Sequence, residues 1–93
     1  MLYVMPNPET IDDLILRVAQ GDRTALATLF QAESGRLVAI AERILRRRDL
    51  AEETVQDVFL RLWRKAKIFD TARGTARGWL TVMVRNRALN MLR

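Results

Sequence analysis

Two groups of side chains in this sequence have the types and spacing to do recognition chemistry. Glu53, Gln56, Asp57 and Leu60 recur at i, i+3, i+4 and i+7, which on a helix places them on one face, with Glu52 at its margin. Carboxylates and an amide around one leucine could dock a basic partner helix, with Leu60 as apolar anchor. The same acids would also sit well in the N-terminal half of a helix dipole, and spacing alone leaves both readings open. The second group begins in the stretch DTARGTARGWL, residues 70–80. Its glycines let backbone approach a ligand, and Arg73 and Arg77 can meet phosphates. Trp79 offers a face for base stacking, worth about 1–3 kcal/mol per base in single-strand binders. It fits a core aromatic equally well, and a half-buried ring could serve both ends. Further on stand Arg85, Asn86 and Arg87. An asparagine can read base edges with its paired donor and acceptor while neighbouring arginines hold the backbone; the alternative is a merely solvated basic face. Thr75 and Thr81 read as capping or surface residues.

Catalysis finds no footing. The chain has no cysteine and no histidine, which removes thiolate and imidazole chemistry and leaves carboxylates as the only candidate metal ligands. Asp12-Asp13 and Glu52-Glu53 are adjacent pairs, which on a helix diverge by about 100° and share no centre. Ser34 has no base, and Gly74 and Gly78 form no P-loop. No enzyme activity, metal or cofactor is expected.

These groups need elements to carry them. Thr10 or Asp12 can cap a first helix whose Ile11, Leu14, Ile15 and Val18 form one stripe, and Gly21 stops it. Asp22 caps a second helix with Ala25, Leu26, Leu29 and Phe30 inside. Ser34-Gly35 marks a candidate kink or brief interruption. Leu37, Ile40, Ala41, Ile44 and Leu45 resume the stripe, and Arg46, Arg47 and Arg48 suit a helix C-terminus. Asp49 opens a third helix to about Lys67, burying Ala51, Val55, Val58, Phe59 and Leu62. Residues 69–78 read as a loop, and a fourth helix starts at Gly78 or Trp79. No segment alternates like a strand. The expectation is all-α: one compact bundle of about four helices over residues 10–93, after a flexible leader at residues 1–9.

Charge is sorted along this bundle. Residues 1–60 carry ten carboxylates against seven Arg/Lys, whereas residues 61–93 carry nine Arg/Lys against the single acid Asp70. An acidic surface beside a strongly basic end suggests two partners, one of them a polyanion such as nucleic acid. No apolar run approaches the roughly 20 residues that span a bilayer, so no membrane partner is expected. Absence of cysteine suits the cytoplasm.

The order of segments resembles region 2, the N-terminal domain of bacterial RNA polymerase sigma factors of the extracytoplasmic-function (ECF, group 4) class. Four stretches carry it: LILRVAQGDRTALATLF (residues 14–30), DLAEETVQDVFLRLW (49–63), IFD (68–70) and GWLTVMVRNRALNMLR (78–93). The second is similar to the family's polymerase-binding helix and the last to its promoter-melting, −10 reading helix. The resemblance implies a sigma domain that binds core RNA polymerase and recognises and melts the promoter −10 element. Glu53, Gln56 and Asp57 would meet the basic coiled coil of the β′ subunit, with Glu52 and Leu60 at the margin. The loop at Arg73–Arg77 would catch a flipped base of the −10 non-template strand. Asn86 falls where the family places a base-reading asparagine, while Trp79, Arg85 and Arg87 would wedge or hold the opened strand. An anti-sigma factor is an implied further partner.

Two departures accompany the resemblance. Asn90 stands where the family commonly has Asp, and the second domain, region 4, which reads the −35 element, is absent from this sequence. The helical pattern also reaches Arg93 without a cap, so the chain is expected to be part of something longer. Two rival readings are a helix-turn-helix regulator of duplex DNA and a helical interaction module whose basic tail binds an anionic membrane.

Overall fold

In the computed structural model, which describes residues 10–93, four α-helices form: α1 (Ile11–Ala19), α2 (Arg23–Leu45), α3 (Arg48–Lys65) and α4 (Ala76–Met91). Short 3-10 turns at Ala66–Ile68 and Thr71–Arg73 join α3 to α4, and no strand occurs among the described residues. The all-α expectation holds; the leader expected at residues 1–9 lies outside the described residues.

Local chemistry explains the boundaries. Thr10, not Asp12, caps α1: its Oγ1 accepts from the Asp13 amide at 3.0 Å and its own amide donates to Asp13 Oδ2 at 3.2 Å. Gly21 ends α1 at φ 89°, a left-handed conformation that glycine adopts without steric cost. Asp22 caps α2 by accepting from the Ala25 amide at 3.0 Å, and Arg17 binds the same carboxylate at 2.6 Å. Those two bonds, the backbone one first, hold the Asp22 carboxyl below the usual aspartate range.

Three expectations are corrected. Ser34-Gly35 does not interrupt the second helix, which runs unbroken for 23 residues. Glycine in a helix interior costs only about 0.5–1 kcal/mol. Buried Leu29, Glu33, Leu37 and Val38 on either side anchor the turn that contains it. The three arginines do not close α2 together, because Arg46 takes the left-handed cap at φ 61° and Arg48 already begins α3. α3 ends at Lys65, two residues early, where the chain tightens into the first 3-10 turn.

α2 is the central helix, with α1, α3 and α4 packed against it. Ile15 from α1, Leu29 and Leu37 from α2, Val55 and Leu62 from α3, and Leu80 and Val84 from α4 are all fully buried. Phe30 and Phe59 meet edge to face across α2 and α3, with centroids 5.1 Å apart. The predicted stripe of α3 is buried as expected, and Thr54, outside that stripe, is buried with it, its hydroxyl donating to the Leu50 carbonyl at 2.8 Å. That bond satisfies the hydroxyl inside the core.

Candidate nucleic-acid and partner interfaces

α4 begins at Ala76, two to three residues before the expected Gly78 or Trp79. Thr75 is its N-cap, its Oγ1 accepting from the Gly78 amide at 3.1 Å. This early start sets Gly78 and Trp79 in the first turn of α4, facing the loop that precedes it. Asp70 turns that loop, accepting from the Ala72 amide at 2.9 Å, and Gly74 takes φ 144°, a region closed to most side chains.

The result is an open cavity of about 490 Å³ between the loop and α4. Trp79 is half-buried in its wall and stacks on Phe69, with centroids 5.5 Å apart and planes 22° apart. Arg73 lines the same cavity, and Ile68 and Val82, both largely exposed, form its apolar rim. A flat aromatic wall and an apolar rim suit a planar base, and the one guanidinium shares the lining with the Asp70 carboxylate. Asn86 follows Trp79 and Val82 at i+7 on one face of α4, about 10 Å along the axis. The Asn86 and Arg85 side chains are exposed and make no hydrogen bond or ion pair with the described residues.

Arg77 and Arg87 sit differently from the rest of their predicted group. Arg77 does not line the cavity; its Nε lies 3.2 Å from Oε1 of Glu33, a carboxylate that is only 4% exposed. Arg36 approaches the same oxygen at 2.9 Å and donates to Thr81 Oγ1 at 2.9 Å, tying α2 to α4. Two cations thus share one buried carboxylate, the pairing a buried charge requires. Sequence reading missed Glu33 and Arg36, although Glu33 falls on the apolar stripe of Leu26, Leu29, Phe30 and Leu37, where a surface acid has no place. Arg87 is half-buried, with its Nε 2.7 Å from Oδ2 of Asp57, and Arg61 stands 3.8 Å from that oxygen. Asp57 and Arg87, expected to meet different partners, therefore pair with each other where α3 meets α4.

The acidic face of α3 forms as spaced. Glu52, Glu53 and Gln56 are exposed, Asp57 is half-exposed, and Leu60 is 67% exposed. Glu52 is engaged by Arg48 at 2.9 Å. Beside this face a groove of about 230 Å³ runs between α2 and α3, floored by Phe30, Val38 and Val55 and edged by Glu52 and Gln56. Gly35 borders it, and a Cβ there would meet nothing within 4 Å. Among the described residues no three His, Cys, Asp or Glu could hold a metal ion, and no helix is long and apolar enough to cross a membrane.

Residues 29–93 match the family model described as Sigma-70 region 2. The chain belongs to the sigma-70 region 2 family. Its relatives place this region 2 domain in the ECF class. It is 37% identical over 83 residues to the ECF RNA polymerase sigma factor SigK of Mycobacterium tuberculosis, covering 89% of this chain and 44% of that protein. SigK of Mycolicibacterium vanbaalenii is 36% identical over 83 residues, with 89% and 42% covered. The SigK protein of Mycobacterium ulcerans is 31% identical over 85 residues, with 91% and 46% covered. The chain thus spans under half the length of the curated relatives it matches. Among solved structures it is similar to an engineered region 2 of sigmaE in complex with GTAAAA, determined by NMR, with a TM-score of 0.81 and 26% identity over 95% of this chain and 90% of that one. In this region 2 domain, α3 carries the acidic face, and the loop with α4 carries the aromatic cavity and the exposed Arg85 and Asn86.

Proposed function

We propose that this region 2 domain docks core RNA polymerase through α3 and opens and reads the promoter −10 element with the loop and α4. The observation that carries this reading is the cavity in which Phe69 and Trp79 stack, at the start of a basic helix that presents Asn86 on the same face. A related region 2 was solved with the oligonucleotide GTAAAA, which supports a single strand as the ligand here. Trp79 and Arg73 would receive an extruded base of the non-template strand, and Asn86 would read a second base further along. Arg85 would hold the backbone. Melting is then differential binding, in which stacking and hydrogen bonds to unpaired bases offset the few kcal/mol that unpairing costs.

On the other side, Glu53, Gln56 and Leu60 would meet the basic coiled coil of the polymerase β′ subunit, with Glu52 and Asp57 at the edges. Carboxylates here speed and orient encounter with a basic helix, and an exposed leucine adds apolar contact. The domain positions DNA while the polymerase performs synthesis, so it needs no catalytic residue or cofactor of its own. An anti-sigma factor is a further partner proposed by analogy with the class, and the cytoplasm is the compartment where these partners meet.

Anisotropy titrations with single-stranded and duplex versions of one −10-like sequence test the DNA half of this reading. The single strand is expected to bind more tightly, with affinity falling as salt rises. Tighter binding to the duplex would favour a helix-turn-helix type of regulator instead.

A further inference from the structure

The loop and first turn of α4 that wall the aromatic cavity are held mostly by bonds among themselves. Asp70 accepts from the Ala72 amide, Thr75 accepts from the Gly78 amide, and Phe69 stacks on Trp79. Two ties reach other helices: Arg77 pairs with Glu33 of α2, and Asp12 reaches in from α1. Its Oδ1 accepts from the Ala76 amide at 2.6 Å, across 64 residues of sequence.

That amide belongs to the first residue of α4, where the helix has no acceptor of its own to offer. Ala76 is also fully buried, so water is no ready substitute. Asp12 is well placed to act as an anchor. It stands in the first turn of α1, which the Thr10–Asp13 capping box secures and which buries Leu14 and Ile15 in the core. α1 packs as well against the Ala66–Ile68 turn and against α4, the two ends of the segment that encloses the cavity.

Asp12 itself does not line the cavity. Its negative charge repels the phosphates of any strand bound nearby, while its hydrogen bond fixes the start of α4. Charge and bond therefore have opposite effects on binding, and a substitution can separate them.

We propose that Asp12 is a positioning residue for the base-binding cavity. Its carboxylate pins Ala76, and through it holds Trp79 against Phe69 and keeps Gly74 and Thr75 at the cavity edge. This rests on the reading of the cavity as a base site.

The test compares wild type, Asp12→Asn and Asp12→Ala, using the hexanucleotide that wild type enriches best from a randomised single-stranded pool. Hydrogen exchange of the Ala76 amide is followed by NMR in the same proteins. Asparagine keeps an acceptor oxygen and loses the charge; alanine loses both. Asp12→Ala is expected to bind about five- to tenfold more weakly, with a flatter preference among bases and faster Ala76 exchange. Asp12→Asn is expected to bind at least as tightly as wild type with preference retained. Wild-type affinity and preference in Asp12→Ala would overturn the assignment, as would equal losses in both variants. Unprotected Ala76 exchange in wild type would overturn it whether or not the alanine variant folds. A pool from which wild type enriches nothing would overturn the base-site reading itself, and that result is seen before any substitution is made.

Discussion

At the residue scale, the side chains on α4 divide by what else they touch. Arg85 and Asn86 have no partner among the described residues and are free to meet DNA. Arg77 and Arg87 already neutralise Glu33 and Asp57, so using them on phosphate means exchanging one anion for another. Asn86→Ala is therefore expected to lower discrimination among −10 sequences more than total binding, with about 1–3 kcal/mol lost at the position it reads. Competition titrations with single-base variants measure this, and a uniform loss across all sequences would make Asn86 a backbone contact. Trp79 shows how far such residues are legible in sequence. A half-buried tryptophan on a helix packs toward the core and lines the cavity at once, so its position in the sequence does not separate a core aromatic from a stacking face. The role of Arg77 was not legible, because its partner Glu33 lies on a different helix, 44 residues away.

At the element scale, the four helices are legible because each carries an apolar stripe at helical spacing, and α3 in particular buries the residues its stripe predicts. The boundaries that escaped are those set by bonds rather than by periodicity. α4 starts at Ala76 because Thr75 and Asp12 cap it, whereas Gly78 by itself reads as the end of a loop. Gly35 reads as a break, yet the packing on both sides carries α2 through it. Caps also bring pH dependence. Asp22 is held below its ordinary pKa by the Ala25 amide and by Arg17, so its contribution to stability is complete above the unfolded aspartate value of about 3.9. That contribution is lost as pH falls through the lower folded value. Thermal melts of wild type and Asp22→Asn should therefore differ most near neutral pH and converge in strong acid. A gap that widens on acidification would contradict the assigned linkage.

Across the whole molecule, the sorting of charge along the chain becomes a division between helices α3 and α4. α3 carries the exposed carboxylates Glu52 and Glu53, while α4 carries the exposed Arg77 and Arg85. The two meet at Asp57 and Arg87, so reversing Asp57 would place a third cation beside Arg61 and Arg87 and disturb the packing of α3 on α4. Glu53 is the better probe of the acidic face, because it is exposed and forms no ion pair with the described residues. The most direct test of a two-partner domain is capture of purified core RNA polymerase by immobilised wild type and Glu53→Arg, with folding checked by circular dichroism. Wild type is expected to retain polymerase and the folded variant to bind about tenfold more weakly, since a cation facing a basic helix is strongly disfavoured. Equal capture by both folded proteins would contradict the assignment of α3 as the polymerase dock.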